Sequence, residues 1–128
     1  MNYPKLHIRH GEEKNKGDRT GGWYKPSVRM FKNARRQIIG DDDNLRKQFP
    51  SYFVECLFYN VPDDNFGYSY QQTFTKALNF LSTALANEAS DKFTTQSGQH
   101  WLFGTASVQW PKASAKDFVS RLAQLWNA

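Results

Sequence analysis

The sequence is short of cysteine, of long apolar runs and of catalytic signatures, and each shortage closes a class of function. Cys56 is the single cysteine. No intrachain disulfide framework can therefore hold the chain, and the expected setting is a reducing one, the cytoplasm. No apolar run approaches the ~18 residues of a membrane-spanning helix. Residues Met1-Asn-Tyr-Pro-Lys5 lack the apolar stretch of a secretory signal. G-x-S-x-G, H-E-x-x-H, C-x-x-C and the phosphate-cradling G-x-x-x-x-G-K-[ST] are all absent. Cys56 lies among apolar neighbours and reads as an inert core thiol, not a nucleophile. His7 and His10 have no Cys, Asp or Glu cluster beside them to complete a metal site, and read as surface histidines. His100, next to Trp101, reads as a packed or surface histidine. Free-standing catalysis has no recognisable carrier.

What the chain does have is aromatic content and an uneven charge. Its 128 residues match the size of one domain, 1–128. Four Trp, six Tyr and ten Phe supply enough buriable area for a compact core and exclude disorder. Residues 1–50 carry 12 of the 17 Lys and Arg but 6 of the 12 acids, a net +6, while the other 78 residues net −1. A basic half on a near-neutral body points to an anionic partner, nucleotide phosphate or nucleic acid, or else to a solvated basic surface.

Periodicity predicts an all-α fold, a bundle of four main helices. Residues 1–24, glycine-rich and without a sustained apolar period, are expected as an extended polar arm, with 25–128 as the helical lobe. The first helix is expected from Pro26 to just before Gly40. Met30, Phe31, Ala34 and Ile38 give it a core face, and Arg29, Lys32 and Arg36 form a basic ridge at i, i+3 and i+7. Asp41-Asp42-Asp43-Asn44 reads as turn chemistry, since consecutive carboxylates do not converge on one ion. The second helix, from Pro50-Ser51 to Pro62, is apolar all round except for Glu55 and is therefore central. Glu55 then needs a donor, and a basic residue of the first helix is the natural one. The third helix, 69–88, opens on a Ser69/Gln72 capping box and buries Phe74, Ala77, Leu78, Leu81, Ala84 and Leu85. Residues 93–110 read as short extended segments or an irregular packed loop. The fourth helix, 114–127, is expected to start at Ser114 with Asp117 three residues on, burying Phe118, Val119, Leu122, Leu125 and Trp126.

The basic ridge and the start of the second helix together suggest a pocket. A helix N-terminus offers unpaired N–H groups and partial positive charge, which suit phosphate. Lys32, Arg29 and Arg36 would supply a cationic wall, Ser51 a hydroxyl, and Tyr52 a ring for a base. The competing reading makes Tyr52 a core residue and the ridge a solvated face.

Lys25-Pro-Ser-Val-Arg-Met-Phe-Lys-Asn-Ala-Arg35 and Phe49-Pro-Ser-Tyr-Phe-Val-Glu-Cys-Leu-Phe-Tyr-Asn-Val-Pro62 carry a further signal. They resemble the C-terminal helical domain of nucleotidyltransferases related to oligoadenylate synthetase and cyclic GMP-AMP synthase. The nearest resemblance is to the bacterial synthases of cyclic oligonucleotide signals in anti-phage defence. Arg29-x-x-Lys32 and Pro50-Ser51-Tyr52 form the family's helical signature, and Leu102, Phe103, Trp110, Ala115 and Phe118 extend it. The resemblance implies that Lys32 reaches the triphosphate of a nucleoside triphosphate while Ser51 and Tyr52 contact phosphate and base. It also implies a partner, a catalytic core bearing a Gly-Ser turn and an Asp-x-Asp site, encoded in the same gene or on a separate chain. Mg²⁺ is expected only in that core, and no cofactor in this chain. Asp41-Asp42-Asp43 contains the Asp-x-Asp string, but in a loop between helices. Without the core's carboxylates the chain alone is expected to synthesise nothing. The alternatives are a stand-alone module that binds or sequesters a nucleotide or cyclic dinucleotide, and a basic fragment that follows double-stranded nucleic acid.

Overall fold

The computed structural model describes residues 3–106 and 109–127, with the side chains of residues 3 and 4 left aside. The chain is all-α, as its periodicity predicts. Its helices are α1 (Tyr3–Lys14), α2 (Tyr24–Ile39), α3 (Asp43–Gln48), α4 (Ser51–Tyr59), α5 (Tyr70–Leu85) and α6 (Lys112–Trp126), with 3₁₀ turns at Asp63–Asn65 and Glu88–Lys92. The four expected helices are α2, α4, α5 and α6. No described helix is long and apolar enough to cross a membrane.

The core is built on α4. Phe53, Val54, Cys56, Leu57 and Phe58 are fully buried, as a helix apolar on nearly every side must be. Phe58 stacks on Phe31 of α2 with centroids 3.7 Å apart, and Phe31 also meets Phe74 of α5 at 5.2 Å. Phe49 and Phe53 meet Phe118 of α6 at 5.1 and 6.4 Å. These rings tie four helices together through one aromatic cluster. Burial pushes the Cys56 thiol up to about 11, so it is the inert core thiol expected.

Several expectations need correction. Residues 3–14 are helical, so the segment is not an extended arm. Its inward positions are His7, His10, Gly11 and Lys14, at i, i+3, i+4 and i+7. This is a helical stripe, but a polar one, and a search for apolar periodicity passes over it. Residues 43–48 form a short helix: Asp42 Oδ1 accepts from the Asn44 and Leu45 amides at 2.9 and 3.2 Å and caps it. Helix α2 starts at Tyr24, two residues before Pro26. Ser69 does cap α5, accepting from the Gln72 amide at 3.1 Å, but the helix ends at Leu85 and Glu88 opens a 3₁₀ turn. Helix α6 starts at Lys112, after Pro111, with no side-chain cap, so Ser114 is buried within it, while Asp117 accepts from Arg121 and Gln48. Trp126 stacks on Phe74 at 4.8 Å yet stays 45% exposed.

In the loop after α5, Thr94 bridges to Trp101 and Phe103 to Trp110. The turn is made by Gly98 at φ 76°, a conformation that glycine adopts without strain. Gln96 at this turn fastens the loop to α1. Its Nε2 donates to the His7 carbonyl at 2.6 Å, its Oε1 accepts from the Tyr24 hydroxyl at 2.6 Å, and its own carbonyl meets His10 Nδ1 at 2.7 Å. A Cβ at position 11 would lie 2.6 Å from Gln96 Nε2, so Gly11 is the notch that admits this side chain.

Candidate functional site

A cavity of about 330 Å³ opens between α1 and α2. His7, Ile8 and Gly11 form one wall, Lys25, Val28, Arg29 and Lys32 the other, and Glu55 and Gln96 close the inner end. The walls follow from helical spacing. Lys25, Val28, Arg29 and Lys32 recur every three or four residues along α2, as His7 and Gly11 do along α1.

Glu55 joins the two walls. Its Oε1 accepts from Lys32 Nζ of α2, and its Oε2 accepts from His7 Nε2 of α1 at 2.5 Å. The α2 donor that the sequence demands for Glu55 is therefore Lys32; the second donor, His7, comes from α1, which apolar periodicity does not mark as a helix. The hydrogen bond from His7 holds the Glu55 carboxyl below the usual carboxylate range, with Lys32 adding to the effect and partial burial opposing it. Arg29 is exposed and has no ion-pair partner among the described residues.

The ridge does not act as one surface. Arg29 and Lys32 face the cavity, whereas Arg36, more than a turn further on, is exposed and donates to Asn33 Oδ1 at 3.4 Å. Ser51 and Tyr52 begin α4 and do not line the cavity; Tyr52 adjoins it through the lining residue His7. Tyr52 is 41% exposed, so it is not the buried core residue of the competing reading. The His7 ring stacks on it, with centroids 4.9 Å apart and an interplanar angle of 24°. Trp110 meets it at 5.8 Å. His7 thus touches both the ring and the carboxylate that holds Lys32, with a side chain only 12% exposed. Neither His7 nor His10 is the surface histidine expected of an arm. The i, i+3, i+7 spacing of His7, His10 and Lys14 was the available signal.

Lys14 anchors the far end of α1. It is buried, donates to the Val61 carbonyl at 2.7 Å and to Asp63 Oδ1 at 2.8 Å, and lies 5.4–5.6 Å from the ring centres of Tyr24, Tyr59 and Phe66. Asp63 also accepts from Arg19 Nε at 2.6 Å. The hydrogen bond from Arg19 foremost, then that from Lys14, lowers the Asp63 pKa.

Two depressed carboxylates give a pH prediction. The stability that Glu55 and Asp63 contribute is complete above the ordinary carboxylate range and is lost as pH falls through their lowered folded values. Urea denaturation from about pH 7 to about pH 3 should show falling stability, with a shallower fall in Glu55→Gln. An unchanged slope in that variant would show that Glu55 has the same affinity for protons folded and unfolded.

Among the described residues no group of three His, Cys, Asp or Glu side chains is placed to hold a metal ion. Two of the three aspartates of the Asp41–Asp43 string are committed elsewhere: Asp42 caps α3, and Asp43 pairs with Arg46 at 2.6 Å.

Comparison with known proteins places this geometry in context. A family model described as the cGAS/DncV-like nucleotidyltransferase C-terminal helical domain matches residues 9–127. The cyclic UMP-AMP synthase of Rhodothermus marinus is 44% identical over 128 residues, covering 98% of this chain and 41% of that enzyme. The solved structure of Rhodothermus marinus CdnE c-UMP-AMP synthase with Apcpp and Upnpp superposes with a TM-score of 0.86 over 98% of this chain and 41% of that one. That of Elizabethkingia meningoseptica CdnE cyclic dinucleotide synthase with GTP and Apcpp gives 0.84 at 28% identity, over 98% and 45%. The chain thus spans less than half the length of these relatives.

Proposed function

Since the chain belongs to the C-terminal helical domains of the cGAS/DncV-like nucleotidyltransferases, we propose that its α1–α2 cleft binds a nucleoside triphosphate for a synthase of cyclic oligonucleotides. One observation carries this reading: Arg29 and Lys32 share a cavity wall next to the exposed Tyr52 ring at the start of α4. The wall offers cations to the phosphates, and the ring offers a stacking face to the base. Ser51 adds a hydroxyl and, with Tyr52, backbone N–H groups that the first turn of a helix leaves unpaired. Arg36 plays at most a long-range part, since it lies away from the cavity. Support also comes from the two related synthases, whose structures were solved with nucleotides or their analogues. The catalytic core that would supply Mg²⁺ ligands and transfer chemistry is a partner of this domain, in the same polypeptide or a separate one.

Half a substrate site binds weakly. Calorimetric titration of the 128-residue chain with ATP or GTP should give a Kd on the order of a millimolar. Lys32→Ala should weaken it by about 1 kcal/mol, a charge-assisted contact discounted for the site's openness to water. Equal affinity in both proteins would remove Lys32 from the site.

A further inference from the structure

Lys32 is already paired. Its ammonium donates to Glu55, which keeps its other oxygen on His7. The Lys32 and Glu55 side chains are 27% and 25% exposed. The pair therefore lies within the cavity wall, where water screens it less than it would a surface pair. With its pKa lowered by His7 and Lys32, Glu55 is ionised at neutral pH. The cation on which a phosphate would depend is thus matched by a carboxylate of the same cavity, whereas Arg29 on the same wall is not.

We propose that Glu55 is a built-in competitor for Lys32, so that any phosphate entering the α1–α2 cleft shares the lysine's charge with a carboxylate or displaces it. The inference rests on the nucleotide reading above and adds a residue that sets its threshold. Either way the carboxylate reduces, without abolishing, what Lys32 contributes to binding. Glu55 is not stranded by displacement, because its Oε2 keeps the hydrogen bond from His7. Every ligand that takes Lys32 meets the same opposing term. A bare phosphate has only the cations of the wall, Arg29 among them, to offset it, while a nucleotide also has the Tyr52 ring. Placing an adverse charge against unwanted ligands is how a site rejects what its attractive contacts would accept.

Calorimetry with inorganic tripolyphosphate, ATP and adenosine tests this on the wild-type chain, Glu55→Gln, Lys32→Ala and the double variant. Glutamine keeps the shape and an oxygen for Lys32 but removes the charge. Glu55→Gln is expected to bind tripolyphosphate and ATP about three- to tenfold tighter, the scale of a partly exposed ion pair. Adenosine, which does not reach Lys32, should bind unchanged. The gain should vanish in the Lys32→Ala background. No gain in Glu55→Gln overturns the competitor role, and leaves the nucleotide reading standing if Lys32→Ala still weakens ATP. A gain that persists without Lys32 also overturns it, because the carboxylate would then act through its general field. If Lys32→Ala leaves ATP binding intact, Lys32 is removed from the nucleotide site, while tripolyphosphate still tests the competition. Melting temperatures accompany each titration. Should Glu55→Gln fail to fold, Glu55→Asp keeps the charge but draws it back by one methylene from Lys32; tighter tripolyphosphate binding supports the role and unchanged binding overturns it.

Discussion

Lys14→Ala should cost the fold about 2–4 kcal/mol. The side chain is 4% exposed, and its ammonium satisfies the Val61 carbonyl and half of Asp63 while lying among three rings. Burial lowers its pKa, with Asp63 opposing, so a desolvation cost is already offset by these contacts. Alanine removes the hydrogen bonds, the cation–π contacts and the packed stem together. Asp63 keeps Arg19 and stays 27% exposed, which holds the loss below that of a fully stranded buried charge. Lys14→Met keeps the stem and should recover more than half of the loss. Urea denaturation measures both variants, and hydrogen exchange of the α1 amides locates the effect. A Lys14→Ala protein with wild-type stability and α1 protection would show that α1 is held without this anchor. Since α1 carries His7, Ile8 and Gly11, its release would also open one wall of the cavity.

The second large effect concerns Tyr52, and it separates a nucleotide cleft from a nucleic-acid surface. His7 stacks on the ring, yet 41% of the residue stays exposed, which leaves part of it open to a base. Tyr52→Phe should retain most ATP or GTP binding, because the π-face remains. The hydroxyl, pushed up to about 12 mainly by burial, is protonated in any physiological buffer, so its removal deletes no charge. Tyr52→Ala should lose about 1–3 kcal/mol of nucleotide binding, the range for base–aromatic stacking. Duplex nucleic acid hides its base faces. Binding to it through Lys25, Arg29 and Arg36 would ignore both substitutions and weaken steeply with salt as counterions are released. Melting temperature must be followed alongside, since Tyr52 also meets Trp110 at 5.8 Å. A folded Tyr52→Ala protein that binds nucleotide as the wild type does would exclude the stacking role. Salt-sensitive duplex binding in that same protein would favour the basic-surface alternative.

Local signals in the sequence determined a good deal. Apolar spacing located α2, α4, α5 and α6, because an apolar stripe must face the core whatever the remaining topology. The all-round apolar character of 51–59 marked α4 as central, and a lone Glu55 within it required a cation, which α2 supplies as Lys32. Ser69 capped its helix because capping involves only neighbouring residues. Helix α1 needed the tertiary structure. Its inward face is His7, His10, Gly11 and Lys14, and such a stripe is indistinguishable from a solvated one until its partners are known. Those partners are Glu55, Gln96 and Asp63, which lie 48, 86 and 49 residues away. The same applies to the basic ridge. Helical spacing put Arg29, Lys32 and Arg36 on one side of α2, but the packing of α1 decided which of them line a cavity. Apolar burial can be read from one helix because water is the same partner everywhere. A polar contact depends on which group arrives opposite, and only the assembled fold brings that group into place.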